Sequence, residues 1–333
     1  MPKRFAFPIL AVLVVFALYS AYWVYARSEI EAYVENWQAE QLAAGYQIEH
    51  ADIRIGGYPY RFSVASNDVV IRAPETEGGW ILALDSFEAN ALPYDFSHWV
   101  VSLGEQFSLE QNGDGMAFTA RSARFSIAGE ANVTNRIGVS IEGLSIAGIG
   151  DARPAITSAG NIGLSAATRD TGEMLVQVQL DNVELAPGSV DPILVNSFGT
   201  SVTVLRADFI LTEWPELARS ADLAVWAQAS GQSTLRGFEI DWGRLDMAAE
   251  GQMTLDSQLR PSGRLSLNLL DPEAVVDAIV ESGSVSEESA GALRLVAQSA
   301  PRSDTGTSIP LSFRNGGVFF GPVRLGEVGP VLR

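Results

Sequence analysis

The stretch Gly237–Leu270, GFEIDWGRLDMAAEGQMTLDSQLRPSGRLSLNLL, decides the fold. Phe238, Ile240 and Trp242 alternate with Glu239 and Asp241. Leu245 and Met247, then Met253 and Leu255, repeat the spacing, and Leu265, Leu267 and Leu269 close the run. A period of two puts successive side chains on opposite sides of an extended chain, so each segment predicts a strand with one apolar face. The joints between them leave no room for a crossover helix, and strands joined so closely pair antiparallel.

The same period extends outward in both directions, through Tyr60-Phe62-Val64, Phe125-Ile127, Val139-Ile141, Met174-Val176-Val178-Leu180, Val202-Val204, Phe209-Leu211 and Leu311-Phe313. Turn signals separate the runs at Asn67-Asp68, Glu77-Gly78-Gly79, Asn112-Gly113-Asp114-Gly115, Pro187-Gly188, Pro261-Ser262-Gly263 and Asn315-Gly316-Gly317. The expected fold is mainly β: an elongated, curved antiparallel sheet or pair of sheets, groove-like or sandwich-like, in meander order.

Two helical regions bracket this body. Phe5–Tyr25, FAFPILAVLVVFALYSAYWVY, carries no ionisable Asp, Glu, Lys, Arg or His. As a helix of about 1.5 Å rise per residue it reaches about 31 Å, the thickness of a bilayer's hydrocarbon core. Lys3 and Arg4 precede it, Glu29, Glu31, Glu35 and Glu40 follow Arg27, and Tyr19, Tyr22, Trp23 and Tyr25 crowd its end as an interfacial aromatic belt does. These features predict a single-pass bacterial inner-membrane anchor with the bulk of the chain in the periplasm. A cleavable signal peptide shares the charged start and apolar middle, with Val24-Tyr25-Ala26 as its cleavage pattern; run length and the aromatic belt weigh for retention. The layout expected is a cytoplasmic tip and anchor over 1–26, a juxtamembrane helix over 27–45 and an exported body over 46–333, with a sub-boundary near 187–220.

In the juxtamembrane helix Ile30, Tyr33, Val34, Trp37 and Ala44 fall on one stripe, and Gly45 is the natural stop. Ser28-x-x-Glu31 is either a capping box that restarts the helix or an accident inside one rod. Ser189–Ser197 and Trp214–Ala218 read as loops or single helical turns. Near the C-terminus Asp271 is an N-cap with Pro272 at N1, Val275, Val276 and Ile279 form a stripe and Gly283 ends it. A second helix with Leu293 and Val296 on one face follows a capping box at Ser284-x-x-Glu287, giving a helical hairpin over about 271–299. Arg302–Ser308 reads as a polar loop before two last strands.

Composition narrows the chemistry. The chain has 22 Lys and Arg against 40 Asp and Glu; without Lys3 and Arg4 the balance is 20 to 40, a formal charge of −20 beyond the apolar segment. Such a surface repels phosphate backbones, so no nucleic-acid partner is expected. With no cysteine there is neither thiolate site nor disulfide. His50 and His98 stand in no ligand spacing, the carboxylates are scattered, and no nucleophile elbow, P-loop or calcium loop is present. No catalytic residue, metal or cofactor is expected, and no enzyme.

Gly57-Tyr58-Pro59-Tyr60-Arg61, lying shortly after a Trp-containing helix, resembles the bacterial envelope family catalogued as domain-of-unknown-function family 2125. The order of motifs from Gly237 to Gly283 and the closing Ile309–Gly326 resemble the same family. That resemblance implies no reaction, ligand or catalytic residue. A looser likeness to AsmA-type envelope proteins implies lipid handling by a groove-shaped sheet, an analogy of fold alone.

Two readings of Tyr58 and Tyr60 stand open: aromatics presented to a ligand, or a plain turn with Arg61 in a structural ion pair. Trp80, Trp99, Trp214, Trp226 and Trp242 suit a groove lining and a closed core equally well. The leading expectation is a non-enzymatic, membrane-anchored protein that binds lipid-like apolar material on Phe238, Ile240, Trp242, Leu265, Leu267 and Leu269. The alternative is an envelope scaffold with a closed core, acting through protein contacts.

Overall fold

The computed structural model describes residues 3–130, 133–281, 287–303 and 306–331. The chain is mainly β and antiparallel, and it divides into two compact units, residues 1–133 with 147–152, and residues 134–146 with 153–333.

The first unit opens with one uninterrupted helix, α1 (Lys3–Ala43), so Ser28 restarts nothing. Gly45 at φ +95° ends it: Tyr46 N–H donates to the Gln41 carbonyl and Gly45 N–H to that of Leu42, which satisfies two carbonyls of the last turn. The packed line of α1 is Trp23, Ala26 and Ile30. Tyr33 is 72% exposed and Trp37 and Ala44 are exposed as well, a correction to the expected stripe. Side chains of residues 3–9 and 11 lie outside the described ones. Among the described residues no helix is long and apolar enough to cross a membrane.

Eight strands follow in this unit: β1 (Gln47–Glu49), β2 (Arg54–Gly56), β3 (Phe62–Arg72), β4 (Ile81–Leu92), β5 (Asp95–Leu103), β6 (Gln106–Gln111), β7 (Asp114–Thr119) and β8 (Ser122–Glu130). β3 pairs with β1, β2 and β4, and β4 is shared between β5 at one end and β6 at the other. Asn67-Asp68, expected as a turn, lies inside β3, where Asp68 takes φ +52°. Asn112 and Gly113 form the β6–β7 hairpin with both φ positive, the conformation a two-residue turn needs between right-twisted strands. Tyr60 belongs to the turn before β3 and not to the strand.

The second unit is a meander of β9 (Val133–Ile149), β10 (Ile156–Thr168), β11 (Met174–Leu185), β12 (Ser201–Leu211), β13 (Ser233–Trp242), β14 (Leu245–Leu255) and β15 (Pro261–Leu269). The end of β9 reaches into the first unit's residues. β16 (Arg302–Ser303), β17 (Gly306–Arg314), β18 (Gly317–Phe320) and β19 (Val323–Glu327) complete it, β17 pairing with β15. Strand therefore replaces most of the polar loop expected at 302–308, of which 304 and 305 lie outside the described residues. Pro261–Gly263 opens β15 while the turn proper is closed by Asp256, whose carboxylate accepts from Gln258 N–H, Arg260 N–H and Arg260 Nε.

Helices interrupt the meander at three joints: α2 (Pro192–Phe198), then α3 (Trp214–Ser220) with α4 (Leu223–Gln228), then α5 (Pro272–Glu281) with α6 (Glu287–Ser299). Pro192 and Pro215 both fall in a first turn, where a missing N–H costs nothing. Asp271 caps α5 as expected, accepting from Ala274 N–H at 3.0 Å. The buried positions of α5 are Pro272, Ala274, Val276 and Ala278, with Val275 and Ile279 half-buried beside them, a shift from the expected stripe. Gly283 and the Ser284 capping box lie outside the described residues.

Candidate apolar binding face

The registers of β9 to β17 turn period two into rows, because directly opposed residues of an antiparallel pair project to the same side. One row runs Ile141, Ile162, Leu180, Leu205, Ile240, Met247, Leu269. The next runs Val139, Leu164, Val178, Ala207, Phe238, Ala249, Leu267, Ile309. A third runs Ile137, Ala166, Val176, Phe209, Leu235, Gly251, Leu265, Leu311. A bulge around Arg236 and Gly237 keeps Leu235 and Phe238 on one side. Strands about 4.8 Å apart make the five-strand part from β9 to β13 about 19 Å wide.

The six expected groove residues do share this face, but their surroundings differ. Leu269 and Ile309 are fully buried and Leu267 nearly so, in a core closed by Val276, Leu293 and Ala297 of α5 and α6 with Phe320 and Val323. Phe238 and Leu265 pack against the edge of that core. Trp242 is buried, its ring 5.4 Å from that of Phe198 and its Nε1–H donating to the Gly199 carbonyl at 2.8 Å. Ile240 is half-buried. The open part of the face lies further along, where the side chains of rows one and two on β9 to β12 are half-buried save for the exposed Leu164, and Ile137 of the third row is exposed too.

The reverse side of the same strands is polar. Gln179, Arg206 and Glu239 form one row there and Ser165, Gln177 and Asp208 another. Arg206 bridges Glu239 at 3.2 Å and Asp181 at 3.8 Å, and Arg236 approaches Asp208 at 4.0 Å. A groove of about 880 Å³ is lined mainly by this polar side, with Gln252, Arg264 and Ser312 in one row of its floor.

The family-motif residues sit in the first unit as a latch on α1. Gly57 takes φ +99°, and a Cβ there would stand 2.5 Å from the Arg61 carbonyl oxygen, so glycine alone closes this turn. Tyr58–Pro59 is cis. Tyr19 Oη–H donates to the Pro59 carbonyl, Ser20 Oγ meets Tyr58 Oη at 2.8 Å, and Tyr58 lies edge-on to Trp23 at 5.4 Å. Arg61 pairs with Glu88 at 3.3 Å; the Ser63 hydroxyl, then Asn90 and last Arg61 hold the Glu88 carboxyl below its ordinary range against the opposing effect of burial. Tyr58 is thus engaged by α1, whereas Tyr60 is 83% exposed.

His50 is exposed and its ring contacts Gln38 and the Ala51 carbonyl, and His98 lies exposed on β5. Among the described residues no three His, Cys, Asp or Glu gather as a metal site would need. Of the other tryptophans, Trp226 is buried with Nε1–H on the Thr212 carbonyl at 2.7 Å, and Trp80 and Trp99 are half-buried in the first unit. Sequence reasoning missed the β9 to β12 share of the face, since no single strand shows that its neighbours continue a row.

A sequence model of the family described as "Uncharacterized protein conserved in bacteria" matches residues 23–329, which takes in the latch and every row of the face. Among curated proteins none matches the chain.

Proposed function

The chain belongs to the uncharacterised bacterial family DUF2125, and from that premise we propose that it is a non-enzymatic envelope protein, held at the inner membrane by α1, that binds lipid-like apolar ligands on the open rows of β9 to β12. The observation that carries this reading is the contrast between the two sides of one sheet. Continuous apolar rows, half-buried and with Leu164 and Ile137 exposed, lie on one side, while the other side is a mesh of arginine, carboxylate and amide groups. Apolar patches beyond a few hundred Å² are uncommon on soluble surfaces unless something covers them. An acyl chain laid across the rows would remove that area from water at about 25 cal/mol per Å².

Anchoring in a bilayer and location in the periplasm support an acyl ligand and rest on the uncharged Phe5–Tyr25 run with Lys3 and Arg4 before it. The scaffold reading draws on α5 and α6, which already close one end of the face as an ordinary core.

A photo-crosslinking amino acid at Leu164 and at Leu180, with Gln177 on the reverse side as control, tests the proposal in cells. Lipid adducts at the first two and none at Gln177 are the expected result. Protein adducts alone at Leu164 and Leu180 would replace lipid binding with the scaffold role.

A further inference from the structure

Two turn tips of the first unit meet α1 at one level. Tyr19 Oη–H donates to the Pro59 carbonyl and Tyr22 Oη–H to the Pro93 carbonyl at 2.6 Å, so the β2–β3 and β4–β5 turns flank the same helical turn. Each tip presents a tyrosine outward: Tyr60 is 83% and Tyr94 84% exposed, with Leu92 also in the open. Below them Leu13, Val15 and Phe16 of α1 are exposed, Phe16 with its ring edge-on to that of Tyr58 at 6.3 Å. From Phe5, where the uncharged run begins, fourteen to seventeen residues at about 1.5 Å each place Tyr19 and Tyr22 about 21–26 Å along the helix, within one or two helical turns of the hydrocarbon thickness of about 30 Å.

We infer that the two turn tips form a membrane-resting collar around α1, with Tyr60 and Tyr94 seated in the headgroup layer of the leaflet through which the helix emerges. This rests on the anchoring part of the proposed function and adds a lipid contact by the β-body itself. Tyrosine suits that layer, with an apolar ring below and a hydroxyl above. Charges set the depth: Arg61, paired with Glu88, follows Tyr60, and Asp95, whose carboxylate accepts from Ser97 N–H and Oγ–H, follows Tyr94. Both belong in water, so the tips dip into the headgroups and stop. The collar fixes the angle of the first unit on the bilayer, which a helix alone leaves free.

The chain has no cysteine, so single labels are unambiguous. Full-length Tyr60→Cys, Tyr94→Cys, Leu92→Cys, Leu13→Cys and Tyr33→Cys, each carrying an NBD fluorophore, are compared in vesicles of equal parts phosphatidylcholine and phosphatidylglycerol. Expected are blue-shifted emission and quenching by headgroup-attached nitroxide at 60, 92 and 94, quenching by chain-attached nitroxide at 13, and water-like emission at 33. Water-like emission at 60, 92 and 94 with deep quenching at 13 overturns the collar and leaves the anchor standing. Water-like emission at 13 as well overturns both.

Discussion

The indole of Trp23 lies stacked on the ring of Phe62, centroids 5.1 Å apart and planes 12° from parallel. Phe62 is fully buried and its ring also meets that of Phe96 at 5.3 Å, so one aromatic cluster ties the helix, the latch strand and the next hairpin together. Trp23→Ala and Phe62→Ala are each expected to cost about 3–5 kcal/mol in a denaturant titration. Their double-mutant cycle should show coupling of about 0.5–1.5 kcal/mol. Tyr33→Ala, on the exposed side of the same helix, should stay within about 0.5 kcal/mol of the parent.

Leu269 and Leu164 occupy neighbouring rows of one face, yet only Leu269 lies under the α5–α6 cover. Leu269→Ala is expected to destabilise by about 2–5 kcal/mol, whereas Leu164→Ala should cost under about 1 kcal/mol and lower lipid recovery on extraction of the purified chain. Equal melting shifts for the two would mean that the open rows are a core.

On α5 the adjacent residues Val276 and Asp277 differ in surroundings: Val276 is fully buried and Asp277 is exposed, 3.3 Å from Arg294. Val276→Asp puts an unpaired carboxylate in the core and should unfold the second unit at ordinary temperature. Asp277→Ala removes only a solvent-screened pair and should shift stability by less than about 1 kcal/mol in the same melting assay.

Asp271 joins the cap of α5 to Arg244, 2.9 Å away. The Ala274 N–H, and after it Arg244, hold its carboxyl below the ordinary carboxylate range against the opposing effect of burial. A pKa lowered on folding gives stability that is present above the unfolded value and is lost as pH falls through the folded one. Thermal melts of the parent should therefore drop more steeply below about pH 4 than those of Asp271→Asn, which keeps an acceptor but carries no titrating proton. Asp271→Ala, which keeps neither, is expected to lose about 1 kcal/mol at neutral pH.

Gly57→Ala tests the latch turn. The positive φ and the Arg61 carbonyl both exclude a Cβ, so the substitution should destabilise the first unit by more than about 1 kcal/mol. Protease cutting near the turn is expected to rise with it.

The sequence alone determined the class of this protein, because strand period and hairpin punctuation are local: Met174–Leu180 or Leu265–Leu269 alternate whatever they pair with. It also determined the Asp271 cap and the Gly45 stop, each of which depends on a few consecutive residues. Strands β4 to β7 and β10 escaped that reading, since β10 carries Gly and Ser through its middle and holds its place by pairing with β9 and β11. Only the tertiary structure decided which apolar residues are covered. The pairing register puts Leu269 and Leu180 on one side, but alternation does not say which part of that side the helices of residues 272–299 cover; they bury Leu269 and leave Leu180 half-open. The same holds for α1, where an all-round apolar start hides its contact line. Trp23, Ala26 and Ile30 were selected by the strand and turn they meet, so helical spacing among the residues after Ser28 pointed to the wrong stripe.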